Sequence, residues 1–335
     1  MTHTASAIDE PPVVKIGAGS FATVYVVRGG PIAYKQVAQD SDAQDLHREY
    51  DFLITIYTEC TTDSFFAIPR ALACNDPAAK NDGFVSTCPV PSSYARRRPN
   101  RLGLFMTPSL MAPFDRATYA MDRVHALPYG ASKSIVRAYF PRSLQDATIA
   151  LCRLYFGKVY PKTPLPKFVS TNNFPLDEQR YTKLFEDFSH LLQPADEVAR
   201  GMGEILAKLH YKARVDGRDI EFVLGGTGGA DFTYFIIDFN QVRAWTKGSD
   251  VAMLVSSFFD NDPYYPRPIP TNPLYTSFKR GYLEVCEPED CTFAEIFLQA
   301  IEAEQAKRTS RLKILDGSSR PSSTETIEQS EQSLL

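Results

Sequence analysis

Two places in the sequence carry residues whose types and spacing could handle a phosphate. The first is Ile16-Gly17-Ala18-Gly19-Ser20-Phe21-Ala22-Thr23-Val24-Tyr25, followed shortly by Ile32-Ala33-Tyr34-Lys35. Small residues at Gly17, Gly19, Ser20 and Ala22 let backbone N–H groups come close to a phosphate. Lys35, on the next extended run, can then pair with it. The second place is Asp238, which stands at the end of the apolar run Thr233-Tyr234-Phe235-Ile236-Ile237. A carboxylate so placed can hold Mg²⁺ through its oxygens. Each feature also has a plainer reading. A glycine turn can merely join two strands, and a strand-end aspartate can cap the turn that follows it.

The elements that must position these groups are legible from local patterning. Val13–Ile16 and Thr23–Val27 are β-like runs flanking the glycine turn. Arg28-Gly29-Gly30-Pro31 cannot continue a strand, so a second reversal brings in the run that ends at Lys35. In Ala43–Tyr57, Leu46, Tyr50, Leu53 and Tyr57 recur at spacings of four, three and four, as an amphipathic helix requires. Glu49 lies on that helix. Ile220–Leu224 and Thr233–Asn240, joined by Gly225-Gly226-Thr227-Gly228-Gly229-Ala230, read as a hairpin carrying Asp238.

The bulk numbers exclude several classes. A chain of 335 residues can build a large core as two lobes or domains. Its net charge of -4 gives no drive toward nucleic acid or an anionic membrane. The six cysteines form no CxxC pair and the five histidines are scattered, so no zinc is expected. Scattered cysteines suit a reducing compartment, and the start of the chain has no apolar export core. No stretch approaches the roughly 18 apolar residues of a membrane span. The expectation is a cytoplasmic or nucleocytoplasmic protein without a membrane or nucleic-acid partner.

Further along, Ala67-Ile68-Pro69 and Phe84-Val85 read as strand fragments, and Tyr119–Val124 as an extended segment. Arg96-Arg97-Arg98-Pro99-Asn100-Arg101 is a basic loop, serving as an import signal, a phosphate patch or a solvated turn. Leu144–Phe156 is read as a helix from its broad apolar face, and Thr171–Leu176 as an ordered loop. Pro194–His210 is the clearest helix, with Asp196 and Glu197 at its positive end and Val198, Met202, Ile205, Leu206 and Leu209 on one stripe. Val251–Phe259 and Phe293–Ile301 are helix-compatible, with a proline- and tyrosine-rich loop at Asn261–Pro268. From Gly317 onward the composition is that of a disordered polar tail.

Taken in order, the glycine loop, strand lysine, helix glutamate, extended segment, long helix ending in Leu209-His210, hairpin and Asp238-Phe239-Asn240 resemble protein kinases and aminoglycoside phosphotransferase-like kinases. More narrowly, Asn173–Leu176, Asp219–Gly225, Asp238–Gln241 and Asn261–Pro268 resemble an uncharacterised fungal family sometimes labelled a zinc finger protein. The resemblance implies an α+β, bilobal protein-kinase-like fold with a small β-rich N-lobe and a larger, mainly helical C-lobe. The implied division is a flexible N-terminus (1–12), N-lobe (13–120), C-lobe (121–305) and polar tail (306–335). It implies that Glu49 orients Lys35, that backbone groups of Met121 to Val124 meet adenine, and that Asp238, with Asn240 beside it, holds the metal. ATP and Mg²⁺ would then be the ligands.

The catalytic loop departs from the kinase pattern. Aligned on Phe222-Val223-Leu224, the base position falls on Gly217 and the metal-binding asparagine position on Phe222, which cannot ligate a metal. Asp216 and Asp219 lie on either side. Asp219, nineteen positions before Asp238, is the better candidate base. The expectation is a nucleotide-binding regulator or scaffold with a degenerate catalytic loop and a protein partner. The alternatives are an active phosphotransferase on a small molecule or peptide, and an interaction module that binds no nucleotide.

Overall fold

A computed structural model describes residues 13–79, 83–86, 106–161, 171–249 and 251–315, the side chains of the last segment through 311. The basic loop at 96–101, the N-terminal segment 1–12, Cys88 and the tail from Gly317 lie outside the described residues. The fold is mixed α and β, with ten strands and eight α-helices among the described residues.

Three strands open the chain: β1 (Val13–Ala18), β2 (Ala22–Val27) and β3 (Ile32–Val37). Gly29 at φ +77° makes the turn between β2 and β3, a conformation that costs a side chain with a Cβ. Helix α1 (Ala43–Cys60) follows, burying Leu46, Tyr50, Leu53, Ile56 and Cys60. Next come β4 (Ala71–Asn75), β5 (Phe84–Ser86), the short α2 (Pro108–Met111) and β6 (Thr118–Asp122). The six strands form one antiparallel sheet in the order β1-β2-β3-β6-β4-β5. β3 lies between β2 and β6 and is buried along its whole length.

The second half holds α3 (Tyr129–Tyr139), β7 (Leu151–Leu154), β8 (Asn173–Leu176), α4 (Glu178–Asp187) and α5 (Ala195–Lys208). They are followed by β9 (Glu221–Gly226), β10 (Phe232–Ile237), α6 (Val251–Asp260), α7 (Pro273–Glu284) and α8 (Cys291–Leu315). A four-stranded sheet runs β10-β9-β7-β8, antiparallel except for the β7–β8 pair. Pro175 is accommodated because β8 is an edge strand.

Helix α5 is the centre of the helical part. Its apolar stripe is buried, Pro194 precedes its first residue, and a π-turn (Leu209–Ala213) ends it at Arg214, φ +58°. Two glycines let α5 and α7 approach closely: a Cβ on Gly203 would lie 1.9 Å from the Phe278 carbonyl oxygen, and one on Gly281 2.0 Å from that of Arg200.

Several elements depart from the sequence expectation. Leu144–Phe156 contains no α-helix; it gives a 3₁₀ turn at Arg142–Leu144 and strand β7, whose exposure alternates residue by residue. Thr171–Leu176 is not only loop, since Asn173–Leu176 pairs with β7 as β8. The last helix continues to Leu315, past the 305 boundary.

Candidate functional site

Lys35 sits mid-strand in β3, opposite Val24 on one side and Tyr119 of β6 on the other. Glu49 is on the inner face of α1. Asp238 follows β10, with φ +64°, a left-handed turn that ends the strand. From these three distant points the side chains converge. Lys35 Nζ donates to Glu49 Oε1 at 2.6 Å and to Asp238 Oδ1 at 2.9 Å. Glu49 is 1% exposed and Lys35 7%, while the Asp238 side chain is 36% exposed. Lys35 and Glu49 are therefore the buried floor, and Asp238 is the open edge.

Burial works against the Lys35 ammonium, but Glu49 and Asp238 outweigh it, so the lysine pKa is raised and the charge is held. Tyr119 OH also donates to Glu49 Oε1, at 3.0 Å, a contact with no local signature in the sequence. Glu49 Oε2 has no hydrogen-bond partner among the described residues.

The glycine turn is placed over this group. Lys35 Nζ lies 5.5 Å from the centroid of the Phe21 ring at the turn's tip. Gly19 N–H donates to the Ala22 carbonyl at 2.9 Å, closing the turn. Gly17, Gly19 and Ser20 are exposed or half-exposed, and Ala22 is buried. The fold does not demand glycine here: a Cβ on Gly17 or Gly19 would meet nothing closer than 3.8 Å. What the turn brings to Lys35 is the Phe21 ring.

The candidate bases separate. Asp216 is buried and fully committed, accepting from Arg243 Nε at 2.7 Å, Arg243 N–H at 2.9 Å and Ser257 Oγ at 2.8 Å. It ties two loops together and is not available as a base. Asp219, at φ +60°, is half-buried. Gln241 Nε2 donates to its carboxylate, and its own N–H donates to Asn261 Oδ1. Burial and the charge of Asp238 raise its pKa, so Asp219 and Asp238 lie within electrostatic reach of each other.

Sequence reasoning also missed Glu221, the first residue of β9, paired across the hairpin with Ile237 and hence beside Asp238. Arg153 Nη2 binds Glu221 Oε1 at 2.7 Å. Burial pushes the Glu221 carboxyl up to about 7, against the pull of Arg153, with Asp238 and Asp219 adding to the rise. The signal in the sequence was a lone acid opening an otherwise apolar strand.

Two expected contacts are corrected. The backbone of Met121 is paired with Ala33 on one side and Ala71 on the other, so it is not open to a base. Val124 lies instead against the β9–β10 hairpin, where a Cβ on Gly225 would come 2.7 Å from its Cγ1. Asn240 Oδ1 is buried without a partner. Among the described residues, no group of three or more His, Cys, Asp or Glu side chains could hold a metal ion.

Comparison with known proteins gives one match. Residues 234–288 match the model of a family, DUF3669, described as zinc finger protein. No curated protein matches the chain. This corrects two expectations. The matching family is not a kinase family, so the resemblance to kinases has no support from it, and neither do ATP and Mg²⁺. The family's description points toward zinc, against the expectation of none. The described residues offer no group of three or more ligands for such an ion, and the buried Cys60, Cys74 and Cys152 stand on separate elements, α1, β4 and β7. No zinc ligand is assigned among them.

Proposed function

We propose that the chain is a bilobal domain whose cleft binds a phosphorylated nucleotide and does not transfer its phosphoryl group, serving as a regulator or scaffold for a protein partner. Residues 13–120 form the smaller, β-rich lobe of this reading and 121–305 the larger, helical one. The observation that carries it is the buried Lys35 ammonium held by Glu49 and Asp238, with Phe21 of the glycine turn against it. A lysine kept charged by a buried carboxylate, beside the partly open Asp238 edge, is a group that a phosphate can pair with. The absence of transfer rests on the loop before β9. Asp216 is spent on Arg243, and the position expected to carry a metal-binding amide is Phe222, which is fully buried in the core.

The test is a thermal-shift titration of the full chain with a panel of nucleoside di- and triphosphates, each with and without a divalent cation. At 100 times the Kd, binding stabilises by about 2.7 kcal/mol, a rise of roughly 4 °C for a protein of this size. Ser20→Glu, an exposed change in the turn, should leave the melting temperature of the free protein unchanged and abolish the ligand's shift. No shift with any nucleotide, or an equal shift in Ser20→Glu, would sink the reading.

A further inference from the structure

We propose that residues 316–335 of the chain fold back to occupy the groove between α6 and α8. The groove has a volume of about 540 Å³, within the range of pockets that take a ligand or peptide side chains. Val251 and Val255 of α6 and Ala300 and Ala303 of α8 line it, with Lys307 and Arg308 at its rim. Helix α6 is apolar on more than one face. Leu254, Phe258 and Phe259 point into the core, while Val251 and Val255 stay half-exposed along the groove.

The rim is basic. Arg308 lies 4.0 Å from the Phe259 ring centroid and is paired with Glu304 at 3.0 Å, which leaves Lys307 exposed and without an acidic partner among the described residues.

The segment that follows Leu315 has the complementary chemistry. Of its twenty residues, Asp316, Glu325, Glu328 and Glu331 are acidic and only Arg320 is basic, and Ile327 stands between two of the acids. The reach is sufficient. Going back along α8 from Leu315 to Ala303 covers about 18 Å at 1.5 Å per residue. Ile327, twelve residues beyond Leu315, can extend roughly 40 Å. Ile327 can therefore enter the groove between Val255 and Ala303, with Glu325 and Glu328 against Lys307. Because α8 already ends beside the groove, the segment closes a short loop, which costs far less entropy than capturing a separate partner.

Hydrogen exchange on the full chain tests this, read at 251–256 and 300–308 for the wild type, Ile327→Asp and Lys307→Glu. Ile327 lies outside the described fold, so its substitution reports on docking. Exchange in both segments should rise about tenfold in Ile327→Asp and severalfold in Lys307→Glu. Adding Glu325→Lys and Glu328→Lys to Lys307→Glu should restore protection. Identical exchange in the wild type and Ile327→Asp would overturn the proposal. So would protection that grows with protein concentration, which would assign the groove to a second copy of the chain.

Discussion

Replacing Lys35 by methionine removes the one cation that compensates Glu49. Met keeps much of the aliphatic volume, so the change is chiefly electrostatic. In the variant the Glu49 carboxylate would stay buried with Tyr119 as its remaining hydrogen-bond donor, Oε2 still unpartnered. Breaking a buried ion pair from one side costs about 3–5 kcal/mol, because the surviving charge is left in a medium that cannot solvate it. For a protein of this size that is a fall in melting temperature of roughly 4–7 °C. The partner variant is Lys35→Met with Glu49→Gln. Its neutral amide still accepts from Tyr119 and leaves no charge behind, and removing both members of a buried pair often costs little. The double variant should therefore recover most of the loss, with a coupling energy of about 2–3 kcal/mol in the cycle. Urea denaturation of the four proteins at one pH measures it. A single variant that loses under about 1 kcal/mol, or a double variant as unstable as the single, would refute the claim that Lys35 and Glu49 form one electrostatic unit.

Three further outcomes are expected. Because burial raises the folded-state pKa of Glu221 from its ordinary 4.5 to about 7, its contribution to stability is fully present below 4.5 and lost as pH rises to about 7. At about 1.36 kcal/mol per pKa unit the loss is on the order of 3 kcal/mol, and denaturation curves of Glu221→Gln across that window should lack the slope. Gly203→Ala would drive a Cβ into the Phe278 backbone at 1.9 Å, so it should separate α5 from α7 and destabilise by about 3 kcal/mol or more, read by denaturation. Asp216→Asn should lower stability by about 1–3 kcal/mol, since an amide cannot accept the full set of bonds from Arg243 and Ser257 at this buried position, while any nucleotide-dependent thermal shift should persist.

What could be read in the sequence depended on whether the signal was local. Helix α5 was legible because its stripe repeats at helical spacing for four turns and both ends are marked. The β9–β10 hairpin was legible because two apolar runs flank a glycine-rich turn. Lys35, Glu49 and Asp238 stood out as charges set in apolar strands or on a helix. Strand β7 was misread because Ile149, Leu151 and Leu154 fit a helix face as well as a strand. What decides it is long-range, the pairing of Cys152 with Phe174 on one side and Leu224 on the other. Strand β4 was passed over for the same reason: Ala71-Leu72-Ala73-Cys74 has no alternation, because both of its faces are buried. The Tyr119 contact with Glu49 and the Arg153 contact with Glu221 span 70 and 68 positions of chain, and no local pattern encodes them. Asp216 and Asp219 differ in sequence only by three positions in their distance from Asp238. The fold distinguishes them, by placing Arg243 and Ser257 around the first and Gln241 beside the second.

The most direct test of the cleft is equilibrium binding of a fluorescent nucleotide diphosphate, with displacement by its unlabelled form, to the wild type and to Lys35→Met/Glu49→Gln. The double variant serves because it should remain folded while lacking the ammonium. Displaceable binding to the wild type, weakened at least tenfold in the double variant, is the expected result. Equal affinity for both proteins, or no displaceable binding to the wild type, would contradict a phosphate site built on Lys35.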